Sequence, residues 1–200
     1  MIKVIASDMD GTLLGDDHKI APETLSAVKE ACDAGIRFMI CTGRNFPGAM
    51  NELEGADLTC DYIVGSGAEV RDPQRRVVKT TSISMELCGE IYEAVRKYPI
   101  SVTFCTDGDD YRIGTEEEVE ESIVRQIQMF HLNLCRDELK DTEIYQRMKR
   151  TTRNVAGLDE LEKAGVPVYK IFLFSADVEM LDQIRRELEQ NSGIAVASSF

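Results

Sequence analysis

Two hundred residues, 43% hydrophobic and 30% charged, have the composition of a globular chain and exclude a disordered or fibrous one. Lys and Arg total 23 against 36 Asp plus Glu, a formal charge of −13 that repels phosphate backbones and excludes a general nucleic-acid binder. Six cysteines (Cys32, Cys41, Cys60, Cys88, Cys105, Cys135) stand far apart with no C-x-x-C pair, and only His18 and His131 accompany them, so no zinc site is spelled out. The apolar run Ile2–Ala6 is too short for a signal-peptide core, and no apolar stretch approaches the roughly 18 residues that span a bilayer. The expectation is a cytoplasmic protein with free thiols packed in its cores and no membrane or nucleic-acid partner.

In chain order, Ile2–Ser7 is a β-branched run of the kind found in buried parallel strands, stopped at Asp8-Met9-Asp10-Gly11. Pro22 suits a first helical turn, and Leu25, Val28 and Cys32 recur at helical spacing up to Gly35. Ile36–Cys41 reads as a second buried strand ending at Thr42-Gly43-Arg44. A short helix over Phe46–Leu53 and a strand at Tyr62–Val64 follow. Strand, helix, strand, helix, strand predicts a parallel sheet.

The pattern then changes. Ala68–Arg71 and Val77–Thr80 flank Asp72-Pro73-Gln74-Arg75 and predict a hairpin, after which Met85–Tyr98 is an amphipathic helix stopped by Pro99. Ile100–Cys105 and Tyr111–Ile113 flank Asp107-Gly108-Asp109-Asp110, a second hairpin signal in which those acids serve the turn rather than a metal. Glu116–Phe130 predicts a helix with a solvated acidic face. Residues 136–153 carry no readable periodicity. Leu158–Ala164 predicts a helix, Tyr169–Phe174 a strand, Val178–Gln190 a helix and Ile194–Ser198 a last strand. The second half is expected to be α+β with antiparallel strands.

The sharpest feature is Asp8-Met9-Asp10-Gly11-Thr12-Leu13 directly after a strand. Ligands of parallel sheets bind beyond the carboxyl ends of the strands. Two carboxylates one residue apart can there face one substrate or cation, and Gly11 frees the backbone to turn. The plain alternative is a strand-ending turn, since Asp and Gly are turn formers.

This segment resembles the first motif, D-x-D-G-T-[LV], of the haloacid dehalogenase (HAD) superfamily. Thr42 at the end of the next strand resembles its second motif, and Thr42-Gly43-Arg44 looks like the T-G-R of the Cof-type branch, which hydrolyses sugar phosphates and other small phosphomonoesters. Val64–Val70 resembles that branch's N-G-A segment, with Ser66 in place of the usual Asn. The resemblance implies an α/β fold: a HAD-like parallel-sheet core over residues 1–82, its C-terminal part missing, with an inserted α+β cap over 83–200 that closes over the core and selects the substrate.

It further implies a Mg²⁺-dependent phosphatase of small phosphorylated metabolites. Asp8 would be the nucleophile forming an aspartyl-phosphate, and Asp10 the general acid and then base. Mg²⁺ would be held by the Asp8 carboxylate and the Asp10 carbonyl. Phosphoryl oxygens would be bound by the Thr42 hydroxyl and the N–H groups of Met9 and Gly43. Arg44 could serve the anion or the loop, and Cys41 is expected to be inert by burial. Family members carry a later Lys and acidic pair that are absent here, so the 200-residue chain is expected to be nearly inactive alone and to self-associate through an incomplete sheet. A phosphomutase of the same superfamily and a catalytically incomplete phosphate-binding or interaction protein are the competing readings.

Overall fold

The computed structural model describes residues 2–15, 17–130, 135–191 and 193–197. Backbone contacts divide it into two compact units. The first comprises Met1–Ser82, Cys105–Gly108 and Pro167–Lys170, and the second Ile83–Phe104, Asp109–Val166 and Ile171–Phe200.

In the first unit, β1 (Val4–Ser7), β2 (Arg37–Cys41), β3 (Asp61–Val64), β4 (Glu69–Arg71) and β5 (Val77–Thr80) form a sheet in that order. β1 pairs β2 and β2 pairs β3 in parallel, with Ser7 opposite Ile40 and Cys41 opposite Ile63. β3, β4 and β5 continue antiparallel, so the expected hairpin is present. Helices α1 (Pro22–Asp33) and α2 (Phe46–Glu52) make the two crossovers. Each starts with a proline in its first turn, and the Asn45 side chain caps α2 by accepting the Gly48 N–H at 2.9 Å.

Alternation decides what this sheet buries. Phe38, Ile40, Tyr62 and Val64 point into one core with Met9, Leu13, Leu14, Val28, Ala49, Leu53 and Cys60. The intervening residues of β2 lie at intermediate depth or exposed, so the strand is half-buried rather than buried throughout. β1 departs further from expectation. It is an edge strand, with Val4 46% and Ile5 37% exposed. Its β-branched composition reports strand propensity, not burial.

A buried charge network ties the hairpin to this core. The Glu69 carboxylate, 2% exposed, accepts the Arg71 Nε–H at 2.5 Å and the Tyr169 hydroxyl at 2.6 Å. The Arg71 guanidinium lies 4.0 Å from the centroid of the Phe46 ring, which meets Tyr62 edge-on at 5.5 Å. Burial and the Glu69 hydrogen bond push the Tyr169 phenol well above its ordinary pKa, so it stays a donor.

The remaining strands, β6 (Ser101–Thr106), β7 (Asp110–Ile113), β8 (Thr152–Val155) and β9 (Val168–Phe174), form a sheet in the order β8-β7-β6-β9. β7 and β8 run parallel, which corrects the expectation of purely antiparallel strands: they are joined through helices, not a turn. Helices α3 (Met85–Val95) and α8 (Val178–Leu188) pack Ile91, Val95, Ile184 and Leu188 together with Val102, Ile171 and Leu173. α7 (Leu158–Ala164) ends at Gly165, as expected. Among the described residues 194–197 no strand forms, and Ser198 and His131 fall outside the described residues.

The unreadable stretch 136–153 folds as α5 (Arg136–Lys140), α6 (Glu143–Thr151) and the start of β8. Leu139 and Tyr145 anchor it against Val119, Ile123, Val124 and Ile127 of α4 (Glu116–Phe130). The acidic face of α4 is engaged rather than merely solvated. Glu120 accepts from Lys140 at 2.5 Å and Lys149 at 3.0 Å, and Glu121 from Arg136. Hydrogen bonds from Lys140, Lys149 and Tyr145 pull the Glu120 carboxyl down to about 2. A carboxyl lowered by folding stabilises the native state above its unfolded value and loses that contribution as pH falls from about 4.5 through about 2. Glu120→Gln should therefore destabilise the protein at pH 6, and the gap between urea midpoints of parent and variant should close by pH 2.

Candidate active site

The register of β1, β2 and β3 brings their carboxyl ends side by side, so the segments that follow them leave from one edge of the sheet. After β1, Asp8 is extended and exposed, Met9 is fully buried, and Asp10 is exposed again. The core thus takes the apolar residue between two acids and leaves both acids outward. The chain then turns at Gly11 (φ 71°, ψ 8°), a left-handed position that suits glycine, and closes with Leu13 and Leu14 N–H groups donating to the Asp8 and Met9 carbonyls. Leu13 and Leu14 are buried and pin the turn from below.

After β2, Thr42 is 5% exposed. Its N–H donates to Ile63 O, its carbonyl accepts from Ser66, and its hydroxyl oxygen accepts the Arg44 N–H at 3.2 Å. Gly65 N–H donates to Arg44 O at 2.7 Å, so the loops after β2 and β3 are laced together. Gly43 is exposed. Ser66 sits at φ 59°, ψ 32°, a left-handed conformation that asparagine adopts more readily than serine.

Arg44 joins the first two loops. Its Nε and Nη2 donate to the two carboxylate oxygens of Asp10 at 2.9 and 2.8 Å, and its Nη1 donates to Glu52 at 2.7 Å. The hydrogen bond to Asp10 is the largest influence raising the Arg44 pKa, and the guanidinium is three-quarters buried. Sequence reasoning left Arg44 undecided between anion and loop; the structure gives it the acid loop, 34 residues away. Cys41, between the two segments, is partly rather than fully buried. Desolvation and the nearby Asp8 charge still push its thiol up, so it remains a poor nucleophile.

Of the other sequence candidates, the 107–110 turn reaches the loop after β2 through Asn45, whose Nδ2 donates to Gly108 O. The 107–110 segment is the turn between β6 and β7: Thr106 Oγ1 accepts the Gly108 N–H at 3.1 Å, and Asp109 pairs with Arg153 at 2.7 Å. His18 is a surface residue whose Nδ1 lies 3.8 Å from Glu52.

Among the described residues no cluster of three or more His, Cys, Asp or Glu is arranged to hold a metal ion. The Asp8–Asp10 edge still fits magnesium as a partial donor set. It offers hard oxygens only, and Mg²⁺ is commonly held by one or two protein oxygens plus waters and substrate phosphate. With both Asp10 carboxylate oxygens on Arg44, the oxygens suited to the ion are the Asp8 carboxylate and the Asp10 carbonyl.

Known proteins resemble this chain in sequence and fold. Residues 5–200 match the family described as haloacid dehalogenase-like hydrolase. The 5-amino-6-(5-phospho-D-ribitylamino)uracil phosphatase YwtE of Bacillus subtilis is 27% identical over 198 residues, which is 99% of this chain and 68% of that protein. An HMP-PP phosphatase of Yersinia pestis is 35% identical over 99 residues, half of this chain and 35% of its own length. The chain therefore spans about two thirds of the first relative and a smaller part of the second. Among solved structures, a haloacid dehalogenase-like hydrolase from B. subtilis superposes with a TM-score of 0.72 at 22% identity, over 94% of this chain and 67% of that one. A HAD-superfamily phosphatase from Bacteroides thetaiotaomicron gives 0.67 at 21%, over 94% and 61%. With the family match running almost end to end and the α/β fold shared, the chain belongs to the haloacid dehalogenase-like hydrolases, in their Cof-type branch.

Proposed function

We propose that the protein is a Mg²⁺-dependent phosphatase of small phosphate monoesters, acting through an aspartyl-phosphate on Asp8. The observation that carries this reading is the sheet edge on which the Asp8–Asp10 turn and the Thr42–Gly43 turn meet, coupled by the Arg44 fork. Phosphatase relatives support it.

In the first step an Asp8 carboxylate oxygen attacks phosphorus, the P–O bond to the alcohol breaks, and protonated Asp10 gives its proton to the leaving oxygen. In the second, Asp10 takes a proton from water, whose oxygen attacks the phosphoryl group and returns Asp8 as carboxylate with inorganic phosphate released. The Arg44 fork on both Asp10 oxygens suits the carboxylate that this second step uses, and the proton carried in the first step requires one of those oxygens to leave Arg44. The Thr42 hydroxyl and the N–H groups of Met9 and Gly43 hold the equatorial oxygens. Mg²⁺, on Asp8 and the Asp10 carbonyl, would neutralise charge shared by phosphate and nucleophile.

The test is hydrolysis of a panel of phosphomonoesters with Mg²⁺, with EDTA, and with Mg²⁺ restored. Low activity, lost in EDTA and regained with Mg²⁺, is expected of the 200-residue chain; hydrolysis indifferent to metal would overturn the proposal. Residues 83–200 would form the substrate-selecting cap, and the six free cysteines favour a reducing, cytoplasmic setting.

Self-association through β1 belongs to the same proposal. Val4 and Ile5 are exposed on the edge strand β1, and such edges pair readily. Sedimentation velocity should show concentration-dependent association of the 200-residue chain that Val4→Lys reduces.

A further inference from the structure

A cation stands beside the Thr42–Gly43 turn that neither composition nor motif spacing singles out. Along β9, Tyr169 is buried and Lys170, the next residue, is at intermediate depth. Tyr169 is fixed by its hydroxyl on Glu69, and its ring packs so close to Gly65 that a Cβ there would meet it at 3.1 Å. With Tyr169 pinned, Lys170 is aimed. Its Nζ donates to Gly43 O at 2.8 Å and approaches Ser66 Oγ at 3.5 Å, spanning the segments that follow β2 and β3.

The partners of this ammonium are unusual in kind. Arg44, the other cation at this edge, is committed to the carboxylates of Asp10 and Glu52. Lys170 is bonded to neutral oxygens, a carbonyl and a hydroxyl, which leave its full charge uncompensated. An ammonium has three donors, so at least one N–H remains for another acceptor. A phosphate ester entering a site that already holds two carboxylates, on a chain of net charge −13, needs cations close by to offset that repulsion.

We propose that Lys170 binds an oxyanion of the substrate, its Nζ donating to a phosphate oxygen from the Gly43–Ser66 side of the site. This rests on the phosphatase reading above and adds to it a substrate-contacting residue from far along the chain. The oxyanion is either the phosphoryl group that is transferred or a second anionic group on the same substrate.

Calorimetric titrations with inorganic phosphate and with fructose 1,6-bisphosphate, in Mg²⁺, distinguish these sources. They are made on the parent chain, Lys170→Met, Lys170→Arg and Thr42→Ala, with thermal unfolding recorded for each. A charge-assisted hydrogen bond lost to methionine predicts binding weakened about tenfold or more, partly restored by arginine, at unchanged unfolding temperature. Weakening of both ligands assigns Lys170 to the transferred phosphoryl group; weakening of the bisphosphate alone assigns it to the second anion. Either supports the proposal. If Thr42→Ala loses phosphate while Lys170→Met binds both ligands like the parent, the Lys170 proposal fails and the phosphatase reading stands. If the parent binds neither ligand, or Thr42→Ala binds both unchanged, the phosphate site itself is wrong and the proposal falls with it.

Discussion

Asp8→Asn is expected to lower kcat by about 10⁴-fold or more while leaving stability within about 0.5 kcal/mol of the parent. Both halves follow from how Asp8 is held. It lies at the end of β1 with its side chain exposed, and the turn it opens is secured by its main-chain carbonyl, which accepts from Leu13 N–H and the Ser7 hydroxyl. An amide of the same shape keeps those main-chain bonds. It cannot serve as the carboxylate nucleophile, so the covalent route closes. Steady-state kinetics and urea denaturation of the two proteins check the prediction together. A variant retaining a tenth of parental activity would place the nucleophile elsewhere.

Arg44→Met is expected to carry the second large effect, with activity and stability falling together. The guanidinium fixes both oxygens of Asp10 and, through Nη1, the largely buried Glu52 at the end of α2. Removing it lets the Asp10 carboxylate rotate, and misplacing an acid–base group costs about 10²-fold in kcat. It also strips a buried ion pair of its cation, at a cost of about 1–3 kcal/mol. Arg44→Lys separates the two roles. A lysine retains the charge but cannot make the planar three-way fork, so stability should recover more than kcat does. Equal recovery of both would mean that Arg44 acts through charge alone and does not orient Asp10.

What the sequence disclosed, and what it did not, divides along a physical line. The Asp8–Leu13 and Thr42–Arg44 segments are contiguous, follow predicted strands, and needed only the parallel pairing of β1 with β2 to be brought to one edge. Local patterns placed α1, α2, α3, α4, α7 and α8 because each shows an apolar stripe or a terminal residue that signals its start or stop. The Arg44 fork spans 34 residues and the Lys170 contact with Gly43 spans 127. Nothing in the composition of either neighbourhood encodes such a pairing. α5 and α6 escaped for a related reason: among the described residues only Leu139 and Tyr145 are deeply buried in them, and Arg136, Lys140 and Lys149 find their partners on α4. β1 misled in the other direction, since Val and Ile fit an edge strand as well as a central one.

The central claim is that Asp8 becomes phosphorylated during turnover, and one measurement tests it most directly. The protein is mixed with excess phosphomonoester in Mg²⁺, quenched in acid within the first turnovers, and digested for mass spectrometry. The expected result is a phosphoryl group on Asp8, labile to hydroxylamine and absent from Asp8→Asn. Turnover that proceeds with the phosphoryl group on another residue, or with no phosphorylated protein at all, would contradict it.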